Sequence, residues 1–214
     1  MEMVFVPPAI RVKSHWFKAD RPKTAQQHAS AMGFIVWRAA QQMLKRMRGA
    51  DFDIDAGEPY FAFMRETLVF LICVTDRIAH ARMDADQRAA FTTELVRRVA
   101  ETLQDNEADL LGGAPGAVYR DRFIDMVNEL QQHYAEFGAD RATPAADGFV
   151  PDFAFYRYLG HRLEPTLPEK DRRWVLDQVM ATEAPQAVEI VQSAMRNLFD
   201  DAPRVRRGAA MRGE

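Results

Sequence analysis

The sequence predicts an all-α protein: an irregular bundle of about six helices, with an extended N-terminal arm and a short basic C-terminal tail. Three observations predict it. Apolar residues recur at helical spacing in each long segment. Helix start and stop signals bracket those segments. Beyond the arm, no stretch alternates apolar and polar residues as an interior strand would. The expected division is an arm over 1–22, one helical domain over 23–201 and a tail over 202–214.

The arm is punctuated by Pro7, Pro8 and Pro22, and Val4, Val6, Ile10 and Val12 alternate in part. Trp16 and Phe17 would be costly to leave in water, so the pair is expected to dock and is the candidate interface. The first helix opens at Thr24 with Gln27 three residues on, a capping box in which each side chain reaches the other's amide. It should run to about Arg48 with Phe34, Trp37, Met43, Leu44 and Met47 inward. The small residues Ala29, Ser30, Ala31 and Gly33 would permit a close helix crossing. The second helix starts near Glu58 and Pro59, proline being welcome in a first turn, and ends near Ala81. The third begins at Asp84, with Gln87 three residues on as another capping box, carries Phe91, Leu95, Val99 and Leu103 at helical spacing, and stops by Gly112 and Gly113.

The fourth helix covers about Val118 to Phe137, with Phe123, Met126, Val127, Leu130, Tyr134 and Phe137 in one stripe and Gly138 ending it. A loop over 138–150 follows. The fifth, from Pro151 to about Leu163, is short and dense in aromatics. The sixth begins at Pro168 and reaches about Asp200, with Pro185 forcing a kink or a break and Thr182 or Glu183 available to cap a restart.

Composition bounds the function. The 214 residues are 48% hydrophobic and 28% charged, an ordinary balance for a globular protein with a sizeable core. Of 28 basic residues only Lys13, Lys18, Lys23, Lys45 and Lys170 are lysine, and alanine is abundant, a bias of GC-rich bacterial genomes. The single cysteine, Cys73, implies no disulfide and no oxidising compartment. The start, MEMVFVPPAIRVK, lacks the apolar run of a signal peptide. The longest uninterrupted apolar run is 68–74, far short of a membrane span. A cytoplasmic location is the expectation.

Net charge is −3 but uneven. Residues 1–50 hold nine Lys or Arg against Glu2 and Asp20, a net of +7, so the remaining 164 carry −10. The tail adds Arg204, Arg206, Arg207 and Arg212. Such ends can bind nucleic acid or acidic lipid. They can equally fold onto an acidic body, within one subunit or across a dimer. Nucleic acid is disfavoured because no recognition motif accompanies the charge and the expected first segment is an arm, not a helix-turn-helix.

The stretch RETLVFLICVTDRIAH, 65–80, carries ionisable groups on both ends of an apolar helix. At 100° per residue Glu66, Cys73, Arg77 and His80 share an arc of about 60°. Asp76 lies one turn before His80 and could orient its imidazole. The bland reading is equally physical: buried polar ends satisfied by ion pairs, Glu66 with a distant Arg and Asp76 with Arg77 or His80. PDFAFYRYLGHRLEP, 151–165, sets Tyr158 and Arg162 at helical spacing, and Tyr158 and His161 bring polar tips on apolar bodies, which suits a pocket wall or an interface. A ligand site, if present, is expected between these two helices, with Glu66, Asp76, His80, Tyr158 and His161 as candidates.

No metal or cofactor is expected. The histidines, at 15, 28, 80, 133 and 161, are scattered singly, whereas a di-iron bundle needs two Glu-x-x-His pairs. DFDIDAGE, 51–58, places Asp51, Asp53 and Asp55 as a calcium loop would, but Ala56 and Ala62 stand where Gly and Glu are needed. GGAPGA, 112–117, lacks the Lys and hydroxyl of a P-loop. Cys73 sits in an apolar run that keeps its thiol inert. Two readings follow. The first is a non-catalytic protein acting through protein contacts, a homodimer with room for a further protein partner; the second is a small-molecule- or metal-binding bundle, an enzyme in one form, with a site near 66–80 and 151–163.

Overall fold

The computed structural model describes residues 24–112, 118–139 and 149–199. The expected arm, with Trp16 and Phe17, and the basic tail lie outside the described residues. The chain is all-α. Its helices are α1 (Ala25–Gly49), α2 (Glu58–His80), α3 (Ala85–Leu111), α4 (Val118–Ala135), α5 (Phe153–Leu163), α6 (Glu169–Gln178) and α7 (Ala184–Phe199). Among the described residues the only extended pairing is one isolated bridge between Ala139 and Pro151. No helix among them is long and apolar enough to cross a membrane.

Local chemistry sets the boundaries. Thr24 accepts from the Gln27 amide at 3.2 Å and the Gln27 side chain accepts from the Thr24 amide at 3.0 Å, so the capping box forms. Asp84 and Asp152 cap α3 and α5 by accepting from the amides three residues on, at 2.8 and 2.9 Å; at Asp84 this is one half of the expected box, without the reciprocal bond from the Asp84 amide to the Gln87 side chain. Gly112 ends α3 in the left-handed conformation, at φ 66°, where a side chain would be strained.

The bundle is organised around α2. From Phe61 to Ala79 only Ala62 and Arg77 escape full burial, as an apolar-all-round helix requires. Helices α1, α3, α4, α5 and α7 all pack on it. Gly33 lets α1 approach α3 closely: a Cβ there would stand 3.2 Å from the Arg98 Cβ. The small-residue cluster thus provides the predicted crossing. Because Phe199 touches both His28 and Phe91, the starts of α1 and α3 lie at one end and the two helices run parallel.

Two expectations are corrected. Phe34 is not inward but 50% exposed, while Trp37, Met43, Leu44 and Met47 are buried. The buried arc of α1 is centred by α2, α3 and α7 on Val36, Met43 and Met47, and Phe34 falls on the opposite side. The second correction concerns Pro185. Of the kink or break expected there, the break and recap do not occur: the chain widens into a single π turn over Val179–Glu183, with the Ala184 amide donating to the Val179 carbonyl. That wider turn absorbs the missing amide and the ring clash that proline imposes on an α-helix. The acidic linker leaves Asp51, Asp53 and Asp55 exposed but packs inward between them. Phe52 and Ile54 are buried, and the Asp53 amide donates to Asp171 at 2.8 Å, pinning the linker to α6.

Candidate functional site

Helix α2 presents its ionisable groups to different neighbours, and each finds a partner. Near its C-terminal end, Asp76 accepts from Arg88 through both oxygens and from the Thr92 hydroxyl at 2.7 Å, all on α3. His80 is exposed, with its Nδ1 at 3.4 Å from Arg88. Asp76 therefore serves an arginine rather than orienting the His80 imidazole. Arg77 donates to the carbonyls of Tyr134, Ala135 and Phe137 at 3.1–3.2 Å, placing a cation on the C-terminal carbonyls of α4.

At the other end, Arg65 bridges buried Glu107 on α3 and exposed Glu58. Its neighbour Glu66 turns toward α5 and receives both branches of Arg162, Nε to Oε2 at 2.9 Å and Nη2 to Oε1 at 2.5 Å. This fork-to-fork geometry is the strong form of the pair. Burial nevertheless outweighs the arginine and holds the Glu66 carboxyl above the usual carboxylate range. Similar pairs tie Arg46 on α1 to buried Glu183 in the π turn, at 2.7 Å.

Beside the Glu66–Arg162 pair, α4 and α5 both pack on α2. Aromatic side chains bridge the seam. Tyr134 and Phe155 lie with centroids 4.6 Å apart, Tyr134 and Tyr158 at 4.9 Å, Phe137 and Tyr158 at 5.3 Å. Phe70 and Cys73 of α2 sit beneath. At the surface, the Tyr158 hydroxyl stands 2.7 Å from the His133 Nδ1, and the Glu129 carboxylate acts electrostatically on both Glu66 and Tyr158.

The chemistry available there is that of donors and charges rather than of nucleophiles. Burial raises the Tyr134 and Tyr158 phenols, so both remain protonated. The Cys73 thiol is pushed up by burial and next by the Asp76 charge, so it is held as a neutral thiol.

Of the five candidates named from the sequence, the structure gathers Glu66 and Tyr158 around Arg162. Asp76 and His80 stand at the far end of α2. His161 lies outside, its Nδ1 3.2 Å from Glu164. Sequence reasoning missed His133 and Tyr134, which come from α4. Their only sequence signal was the place of Tyr134 in an apolar stripe. Among the described residues no three His, Cys, Asp or Glu side chains are placed to hold a metal ion. Comparison with protein-family models, curated proteins and solved structures finds no match to this chain.

Proposed function

We propose that this protein is a bacterial-type cytoplasmic helical module that works through contacts with other protein chains, assembles as a homodimer and catalyses no reaction of its own. One observation carries the reading. The ring contact of His28 with Phe199, at 4.5 Å, brings the first turn of α1 beside the last turn of α7. The two basic ends of the sequence therefore attach to one pole of the bundle. Residues 1–23 supply five Lys or Arg and residues 200–214 four Arg, with five acidic residues between them. Their net +4 is set against an acidic remainder, the arrangement in which one chain's pole is attracted to another's body. The commitment of Glu66, Asp76, Glu107 and Glu183 to arginines on other helices also gives these groups a sufficient structural role.

The test compares the full chain with one lacking residues 1–22 by analytical ultracentrifugation and hydrophobic-dye binding. Loss of the assembled state or new dye binding is the expected result. A monomer that is the same with and without the arm would contradict the reading.

A second reading is favoured by one specific observation, the convergence of Glu66, Arg162, Tyr158 and His133 on the α4–α5 seam. There the protein would hold a small polar ligand. Native mass spectrometry decides it: an extra mass on the intact protein, lost on denaturation and lost in Tyr158→Phe, would carry it. A clean chain mass, or a clean multiple of it, would remove it.

A further inference from the structure

We infer that the outer face shared by α1 and α3 is the contact between two copies of this chain, each α1 lying against the α3 of its partner about a twofold axis parallel to both helices. This rests on the interaction reading above and gives it a surface. Helix α1 contains no Asp or Glu, and carries Arg38, Lys45, Arg46 and Arg48. Arg46 and Arg48 are engaged internally, with Glu183 and the Ile54 carbonyl. Arg38 and Lys45 make no ion pair among the described residues. At 100° per residue Gln27, Phe34, Arg38, Gln41 and Lys45 fall within an arc of about 60°, opposite the side packed on α2. This face therefore combines an exposed phenylalanine, at 50% of its area, with unpaired positive charge.

Helix α3 offers the complement. Glu94, Arg97, Arg98 and Glu101 neutralise one another in a surface quartet. What remains unbalanced toward the C-terminal end is Asp105 and Asp109, both exposed and without an ion pair among the described residues. Glu107 between them is buried against Arg65. The register matters as much as the sign. Gly33 stands at the level of Leu95 to Val99 in the parallel neighbour. By the common rise of the two helices, Arg38 and Lys45 stand at the level of about residues 103 to 110, where Asp105 and Asp109 project. A twofold axis parallel to the helices preserves that level and exchanges their sides. It sets Arg38 and Lys45 of each copy against Asp105 and Asp109 of the other, with the two Phe34 rings beside the axis. The contact is self-complementary and closed, so it makes a dimer rather than a fibre.

The test uses full-length chains and charge reversal at exposed positions, with far-UV circular dichroism confirming an unchanged fold. One variant carries Arg38→Glu and Lys45→Glu, the other Asp105→Lys and Asp109→Lys. Each alone sets like charges across the axis and is expected to weaken dimerisation by about tenfold or more. An equimolar mixture restores both sets of opposite charges and is expected to form a heterodimer, seen by analytical ultracentrifugation and native mass spectrometry. Reversed variants that dimerise as the wild type does, or a mixture that stays monomeric, would overturn the proposal. A dimer indifferent to the reversals but lost on removing residues 1–22 overturns this face alone and leaves the interaction reading standing. A wild-type chain monomeric throughout the micromolar range overturns the dimer altogether.

Discussion

Replacing Arg65 by methionine isolates a buried charge and gives a cost that the structure allows to be worked out. Arg65 and Glu107 expose 8% and 1% of their side chains. Glu107 uses one oxygen for Arg65, and its other oxygen is buried without a partner. Removing the guanidinium therefore leaves a carboxylate with neither oxygen satisfied. Breaking such a buried pair from one side costs about 3–5 kcal/mol. Glu58, the other partner, is 58% exposed and is rescued by water, so it adds little. The Arg122 charge acts favourably on Glu107 from α4 and offsets part of the loss. About 3–4 kcal/mol is expected, a large share of the stability of a domain this size. The mirror change is milder. Glu107→Leu leaves Arg65 paired with Glu58, so about 1–2 kcal/mol is expected. The double variant Arg65→Met with Glu107→Leu should return close to wild type.

The pH dependence follows from the sign of the shift. Burial holds the Glu107 carboxyl above its ordinary range, and Arg65 pulls it part of the way back. A raised folded-state pKa contributes stability that is fully present below the unfolded pKa and is lost as pH rises through the folded value. Deleting Arg65 raises that value further. The penalty of Arg65→Met should then be greatest at neutral pH and shrink on acidification toward about pH 4, where the carboxyl is protonated. Urea unfolding followed by far-UV circular dichroism measures all three variants at both pH values. If Arg65→Met costs under about 0.5 kcal/mol, or Glu107→Leu proves as damaging, the reasoning is refuted.

Three further outcomes are expected. Cys73 should resist a thiol reagent in the native protein and react only in denaturant, since burial keeps it neutral and covered; rapid native labelling would contradict this. Thr24→Ala removes the cap of α1 and should lower stability by about 1 kcal/mol, read from the urea midpoint, with Thr24→Ser restoring it. Phe34→Ser should leave that midpoint within about 0.5 kcal/mol of wild type while weakening self-association, because a half-exposed ring contributes little to the fold.

Much of the fold was legible because its signals are local. The capping box at Thr24 and Gln27, the Asp84 cap and the left-handed Gly112 depend on residues within one turn of each other, and each stands where the sequence placed it. The unbroken apolar run of α2 had to be buried wherever the chain went, and so marked the centre of the bundle in advance. The same run told nothing about which helix each of its polar neighbours would meet. Glu66 was foreseen to pair with a distant arginine, but that it would be Arg162, 96 residues away, is a matter of how α5 docks. Asp76 was assigned to Arg77 or His80 by proximity along α2, and went to Arg88 because α3 passes that side.

Phe34 and Pro185 show the same limit from opposite directions. A phenylalanine at helical spacing reads as core, yet the side of α1 that is buried was decided by three neighbouring helices, and Phe34 was left outside. A proline in a helix reads as a kink or a break, yet the chain stays helical through a π turn just ahead of it. The sequence by itself determined which segments are helical, where they start and stop, and that α2 lies at the centre, since these follow from backbone chemistry and apolar periodicity within a few residues. Only the tertiary structure decided which charges meet, that His133 and Tyr158 share a seam with Glu66 and Arg162, and that both basic ends leave from one pole. Those are contacts across long separations in the chain, set by the packing of whole helices and by no single stretch of it.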